Sequence, residues 1–197
     1  MAERKRILLI QGHPDPAGGH FGHLLAEAYR DGAAAAGHEL RHVEVAALDF
    51  PLLRSQDAWE SGLLPDALKG PQADIGWAEH LVLFFPLWMG DMPALLKGFL
   101  EQVLRPGFAA DAAEPGPTGK KMLAGRSARV VVTMAMPAAA YRYWFRAHSV
   151  KSLERNLLGM CGIGPIHETL VGSIQEPDEA SHAAWLEKLR GLGAEAA

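Results

Sequence analysis

Cysteine is nearly missing from this chain: among 197 residues there is one, Cys161. An internal disulfide is excluded, as is a structural zinc site built on several thiolates. Within Leu157-Leu158-Gly159-Met160-Cys161 the residue reads as a small buried apolar group. Excess positive charge is missing as well. Lys and Arg total 19 against 23 Asp and Glu, a formal net charge of -4. With no basic surplus to neutralise phosphates, nucleic acid is not an expected partner. Long apolar runs are also lacking. The run that follows Arg4-Lys5-Arg6 covers only residues 7–10, too short for a signal-peptide core or a membrane span. A cytoplasmic protein without a membrane span is expected.

Several chemical signatures are absent too. There is no Walker spacing with its terminal Lys and Ser/Thr, no G-x-G-x-x-G fingerprint and no G-x-S-x-G nucleophile elbow. The nine histidines are scattered, and His38 and His42 read as solvated surface rather than metal ligands. What remains is ordinary globular material, 49% hydrophobic and 21% charged, without an internal repeat. Its length suits a single domain over residues 1–197.

Residues 7–10, Ile-Leu-Leu-Ile, form a wholly apolar run, as expected of a strand buried on both faces. Phe21, Leu24, Leu25 and Ala28 then recur at helical spacing, with Gly37 placed to end that helix. Residues 40–46 read as a second strand. Residues 48–74, which contain Pro51, Pro65 and Pro71, read as a long excursion with at most a short helix at 66–69. Residues 81–85 are the most secure strand. Pro93 suits the start of a helix whose apolar face is Leu95, Leu96, Phe99 and Val103. Residues 105–121 read as loop, 128–133 as strand and 166–171 as a last strand. Helices are expected through Val150, Leu153, Leu157 and Cys161, and through Trp185, Leu189 and Leu192. Strands alternating with helices imply a parallel sheet covered on both faces, with ligands beyond the carboxyl ends of its strands.

Three loops therefore carry the candidate chemistry. The first is Gly12-His13-Pro14-Asp15-Pro16-Ala17-Gly18-Gly19-His20-Phe21, between a strand and a helix start that suits a phosphate. The alternative is a plain Pro/Gly turn capped by His13. The second, Pro86-Leu87-Trp88-Met89-Gly90, puts large apolar groups where chain is usually solvated. It is either a packed or intersubunit connection or the floor of a site for a flat aromatic ligand, with backbone from 86 to 90 at its polar edge. The third, Thr133-Met134-Ala135-Met136, leads to Tyr141, Trp144, Phe145 and His148, which would share one face of a helix. That stripe is core or interface for Trp144 and Phe145. Tyr141 and His148 each carry a proton suited to neutralising a developing anion.

At these loops the chain resembles the NAD(P)H:quinone oxidoreductase family of flavodoxin-like flavoproteins, which includes flavin-bearing ancillary subunits of potassium efflux systems. The resemblance spans residues 7 to about 174. It is carried by Phe85-Pro86-Leu87-Trp88 running into Pro93-Ala94-Leu95-Leu96-Lys97-Gly98-Phe99 and Glu101-Gln102-Val103, and by Gly12-His13-Pro14 followed by Phe21. It implies an α/β flavodoxin-like three-layer sandwich with a five-stranded parallel sheet in order 2-1-3-4-5. It further implies cofactor contacts from His13, His20 and Phe21 to the flavin phosphate. Pro86, Leu87, Trp88 and Met89 would cradle the ring, and Thr133, Met134, Ala135 and Met136 would line its polar edge. Tyr141 and His148 stand roughly where some members assist hydride and proton movement.

Implied with these are FMN, with FAD as the alternative, NAD(P)H as reductant, a quinone-type small-molecule acceptor and a homodimer. The competing reading is an ancillary subunit with little turnover of its own. Two departures stand out. Many members have Thr-Thr-Gly-Gly where this chain has Thr133-Met134-Ala135-Met136, and Ser-Phe-Asn where it has His20-Phe21-Gly22.

Overall fold

The computed structural model describes residues 3–60, 62–111, 119–175 and 179–197. Five strands form one parallel sheet: β1 (Arg6–Gln11), β2 (Glu39–Glu44), β3 (His80–Pro86), β4 (Ser127–Thr133) and β5 (Ile166–Val171), in spatial order β2-β1-β3-β4-β5. The helices are α1 (Phe21–Ala35), α2 (Gln56–Glu60), α3 (Asp66–Trp77), α4 (Ala94–Val103), α5 (His148–Ser152) and α6 (Glu179–Glu195). This is the expected flavodoxin-like three-layer sandwich.

The apolar strands divide cleanly between two cores because side chains alternate across a sheet. Ile7, Leu9, Val82, Phe84 and Val131 pack with Leu25, Tyr29 and Leu189 of α1 and α6. Leu8, Ile10, Leu81, Leu83, Phe85, Val130 and Val132 pack with Leu68, Leu96, Phe99 and Val150 on the other face. Covering both faces leaves little room for polar residues in the middle of β1 and β3, hence their unbroken apolar runs. The chain passes from β1 to β2 on one side and returns to β3 on the other. The loops after β1 and β3 therefore diverge and leave a crevice at the strand ends.

Three expectations need correction. Residues 66–77 form a full helix despite Pro71, not a single turn. Pro71 removes only one backbone donor. Leu68 and Ile75, one on each side of it and fully buried, keep the element seated. The second strand ends at Glu44, and Val45–Ala47 is a 3₁₀ turn. His38 is buried rather than solvated: it accepts a hydrogen bond from the Lys5 N–H through Nδ1, and Nε2 meets the Ala194 carbonyl. Of the loop expected at 105–121, residues 112–118 lie outside the described residues. Its start is pinned by the Arg105 guanidinium, which donates to the carbonyls of Gln102 and Gly62 and to the Gln102 side chain. Cys161 is buried, and burial pushes its thiol up to about 11. No helix among the described residues is long and apolar enough to cross a membrane.

Candidate functional site

The three loops meet at the carboxyl ends of β1, β3 and β4. Gln11, a polar residue ending an apolar strand, organises the first. Its amide accepts from the His13 N–H and donates to the Gly22 carbonyl, tying the loop to the first turn of α1. Gly12 N–H donates to the Phe84 carbonyl, and a Cβ at Gly12 would lie 2.6 Å from Leu96, so the loop lies directly on α4. Gly18 and Gly19 take left-handed backbone (φ 71 and 76), which glycine adopts without steric cost.

His13 and His20 stack, ring centroids 4.0 Å apart at 16°, and His23 lies 5.1 Å from His13. The Asp15 N–H donates to His13 Nδ1, which places the neutral imidazole's proton on Nε2. Asp15 Oδ1 accepts from the Ala17 N–H, and Oδ2 lies 2.7 Å from His20 Nε2. Burial, then the nearby His20 and His23, push His13 down to about 4. The His20 hydrogen bond holds the Asp15 carboxyl below its ordinary range.

Behind this cluster a pocket of about 80 Å³ is lined by Gln11, His23, His42, Glu44 and Arg30. Glu44 Oε1 and His23 Nδ1 are buried there without a hydrogen-bond partner among the described residues. Burial pushes Glu44 up to about 7 and lowers His23 and His42. Asp15, Gln11, His23 and Glu44 were not singled out from the sequence. Only the polar end of β1 and the His20–His23 spacing signalled them.

The second loop reaches the first through Trp88, whose ring meets His13 edge-on at 6.0 Å. Trp88 is half-exposed and Met89 fully so, with Met89 in left-handed backbone (φ 50). Trp88 pairs both backbone groups with Asp91, and the Leu87 N–H donates to the Thr133 carbonyl. Of the backbone groups expected at the polar edge in residues 86–90, the Leu87 N–H and both groups of Trp88 are therefore already paired. Pro86 is buried in β3 opposite Thr133, and Leu87 is partly buried. The first turn of α1 also approaches the end of β4: a Cβ at Gly22 would lie 3.8 Å from the Thr133 side chain.

In the third loop Thr133 and Met134 are buried, and Met134 uses its N–H on Val171 and its carbonyl on Ile174. The Met134 side chain belongs to the core beneath the loop. Ala135 is exposed, Met136 is partly buried, and the Met136 carbonyl accepts from Ser173. Phe21 stacks on His182 of α6 at 4.0 Å.

The single helical face expected for Tyr141, Trp144, Phe145 and His148 does not form. A wide turn (Ala140–Trp144) ends in left-handed Arg146 and Ala147 (φ 57 and 48) before α5 begins. Such backbone costs about 1–3 kcal/mol per residue. Tyr141 is buried, its hydroxyl 2.6 Å from Ser149 Oγ and accepting the Val150 N–H. Trp144, Phe145 and His148 are exposed.

A family model described as flavodoxin-like fold matches residues 5–192. An uncharacterized NAD(P)H oxidoreductase of Haemophilus influenzae is 25% identical over 184 residues, 91% of this chain and 90% of that protein. The glutathione-regulated potassium-efflux system ancillary protein KefG of Shigella dysenteriae is 31% identical over 146 residues; the match covers 73% of this chain and 65% of that protein. The solved structure of a Methanothermobacter marburgensis NAD(P)H:quinone oxidoreductase shares the fold, with a TM-score of 0.81 at 22% identity over 98% of this chain and 96% of that one.

Proposed function

Since the chain belongs to the flavodoxin-like fold family, we propose that it is a cytoplasmic flavin-dependent NAD(P)H oxidoreductase that reduces quinones or similar small acceptors, with residues 1–197 as one flavin-binding domain. One observation carries this reading: the loops after β1, β3 and β4 converge on a shared strand-end crevice through the His13–Trp88 contact and the Leu87–Thr133 hydrogen bond. The similarity to the Haemophilus oxidoreductase over nearly its whole length supports the same class.

The residues present fit a flavin mononucleotide. His13 offers an imidazole donor, with His20 stacked on it, beside the start of α1, where backbone N–H groups and the helix dipole favour a phosphate. Among the described residues one such clamp is found, which suits FMN, with FAD the alternative. Trp88 presents an exposed apolar ring beside that clamp, and Met89, Gly90, Ala135 and Met136 bring backbone to the edge of the crevice. A bound flavin would take hydride from NAD(P)H and deliver it to the acceptor at the same face.

The protein's task is then to orient, to exclude water and to hold protons. His148, exposed at the start of α5, is the proton donor of this reading. Tyr141 is a positioning residue, because its hydroxyl ties the preceding turn to Ser149 and Val150 at the start of α5. Phe21 and Met134 contribute by shaping the loops from beneath. A homodimer is part of the proposal. A cavity of about 600 Å³ lined by Leu53, Trp59, Leu100, Leu104, Leu157 and Met160 is a broad apolar surface for a second copy. Sedimentation velocity reads that state directly.

The similarity to KefG favours a second reading, an ancillary flavin-binding subunit of a transport system with little turnover. The absorption spectrum of the purified protein, followed by anaerobic mixing with NADPH or NADH, separates the two. Bleaching of the flavin band at about 450 nm within seconds is expected of the enzyme. Bound flavin that neither nucleotide bleaches supports the ancillary role, and a protein that takes up no flavin rejects both.

A further inference from the structure

The two stacked imidazoles do different work. His13 receives the Asp15 N–H on Nδ1, so its proton stays on Nε2, and it is a donor without needing charge. His20 is wired the other way. Its Nε2 is 2.7 Å from Asp15 Oδ2, and an ionised carboxylate only accepts, so Nε2 carries the hydrogen. His20 Nδ1 has no partner among the described residues. In the neutral ring that nitrogen is a lone pair and repels a phosphate oxygen. Protonated, it becomes a charge-assisted donor, with Asp15 stabilising the cation from behind. A second positive charge on the parallel ring 4.0 Å away is costly, so the pair accepts one proton and His20 is where a carboxylate supports it.

We propose that Asp15 and His20 form a carboxylate–imidazolium clamp for the phosphate of the flavin, so that cofactor affinity follows the protonation of His20. The proposal rests on the flavin reading above. It gives His20 a role that the Ser it replaces in the family pattern does not have, since a hydroxyl carries no charge that pH can switch.

The other charged and titratable groups around the pair do not supply this switch. His23 and Glu27 lie on α1. His42 and Glu44 approach from β2, where His23 Nε2 is 3.8 Å and His42 Nε2 is 3.6 Å from the Glu44 carboxylate. Asp91 in the β3 loop is turned onto the Met92 N–H, and Trp88 brings no charge. From α6, His182 stacks on Phe21. Only His20 joins an exposed ring nitrogen to a directly bonded carboxylate.

The test titrates flavin-free protein with FMN and, separately, with riboflavin, which lacks the phosphate. Quenching of flavin fluorescence is followed between pH 6.5 and 8.5. This window lies above the second ionisation of a phosphate monoester, about pH 6, so the ligand's own charge changes little. The Kd for FMN should rise about tenfold from pH 6.5 to 8.5 as the charge-assisted hydrogen bond is lost, while the Kd for riboflavin stays level. His20→Gln should bind FMN at pH 6.5 as weakly as the native protein does at pH 8.5 and show no slope. A far-ultraviolet circular dichroism spectrum matching that of the native protein serves as the check on folding. Asp15→Asn should move the FMN transition to lower pH.

Parallel pH profiles for FMN and riboflavin, or a slope that survives His20→Gln, overturn the clamp. FMN that binds equally well at every pH removes the clamp and leaves the flavin reading standing. Protein that quenches neither ligand removes both.

Discussion

Trp88 gives the most direct single-residue test of where a flavin ring lies. Its ring is half-exposed, and its backbone is locked to Asp91 without help from the side chain. Trp88→Ala should therefore leave the loop in place and remove a ring contact worth about 1 kcal/mol beyond its area. Flavin Kd should rise roughly tenfold, since 1.4 kcal/mol is a factor of ten, with the melting temperature unchanged. Unaltered flavin occupancy in the purified variant would reject this placement.

Tyr141 makes the opposite case. Its hydroxyl is occupied by Ser149 and Val150, so Tyr141→Phe should cost about 1 kcal/mol of stability. That corresponds to a drop of about 2–4 °C in melting temperature. Turnover lost without any change in melting temperature would instead make the hydroxyl a catalytic group.

At the scale of elements, the contact between α1 and α6 depends on two positions with no side chain. A Cβ at Gly32 would lie 1.9 Å from the Arg190 carbonyl oxygen, and one at Gly193 would lie 2.0 Å from that of Tyr29. Neither obstacle is a flexible side-chain tip, so the helices must move apart. Gly193→Ala should destabilise by about 2–3 kcal/mol through overpacking, despite the better helix propensity of alanine. Chemical denaturation checks this, and a variant as stable as the native protein would show that α6 can slide without cost. The same contact seats the start of α1, because Phe21 at its first turn stacks on His182 of α6. Lower flavin affinity in Gly193→Ala should therefore accompany its lower stability.

Over the whole molecule, acid is the weak side. Burial pushes His80 down to about 3, and His13 stands at about 4. In the unfolded chain both return to about 6.5. Between those values the unfolded state binds more protons, so stability present above about pH 6.5 is lost as pH falls toward 4 and below. Glu44, raised to about 7, works in the other direction between its ordinary range and neutrality. The melting temperature should fall steadily from pH 7 to pH 5, and His80→Asn should make that decline shallower. A flat profile in the native protein would mean that His80 and His13 find protons or water in the folded state.

The chain's local periodicities determine much of this architecture. The apolar runs at residues 7–10 and 81–85 and the valine-rich stretch at 128–133 fit strands covered on both faces, and the helical spacings between them imply parallel crossovers. The three candidate loops follow from that, whereas the sheet order came with the family resemblance and not from any local period. Contacts between distant residues follow no local period, and packing alone decided them. The burial of Leu68 and Ile75 carries a helix through Pro71, and Arg146 and Ala147 turn left-handed where an unbroken aromatic stripe was expected. His38 is drawn out of solvent by the C-terminal end of α6. The pairing of Asp15 with His20, and the stacking of His20 on His13, arise only when the first loop folds back on Gln11 and α1. A sequence specifies which groups are available, but the direction a ring nitrogen faces depends on the backbone that carries it and on the neighbour that takes its other hydrogen bond.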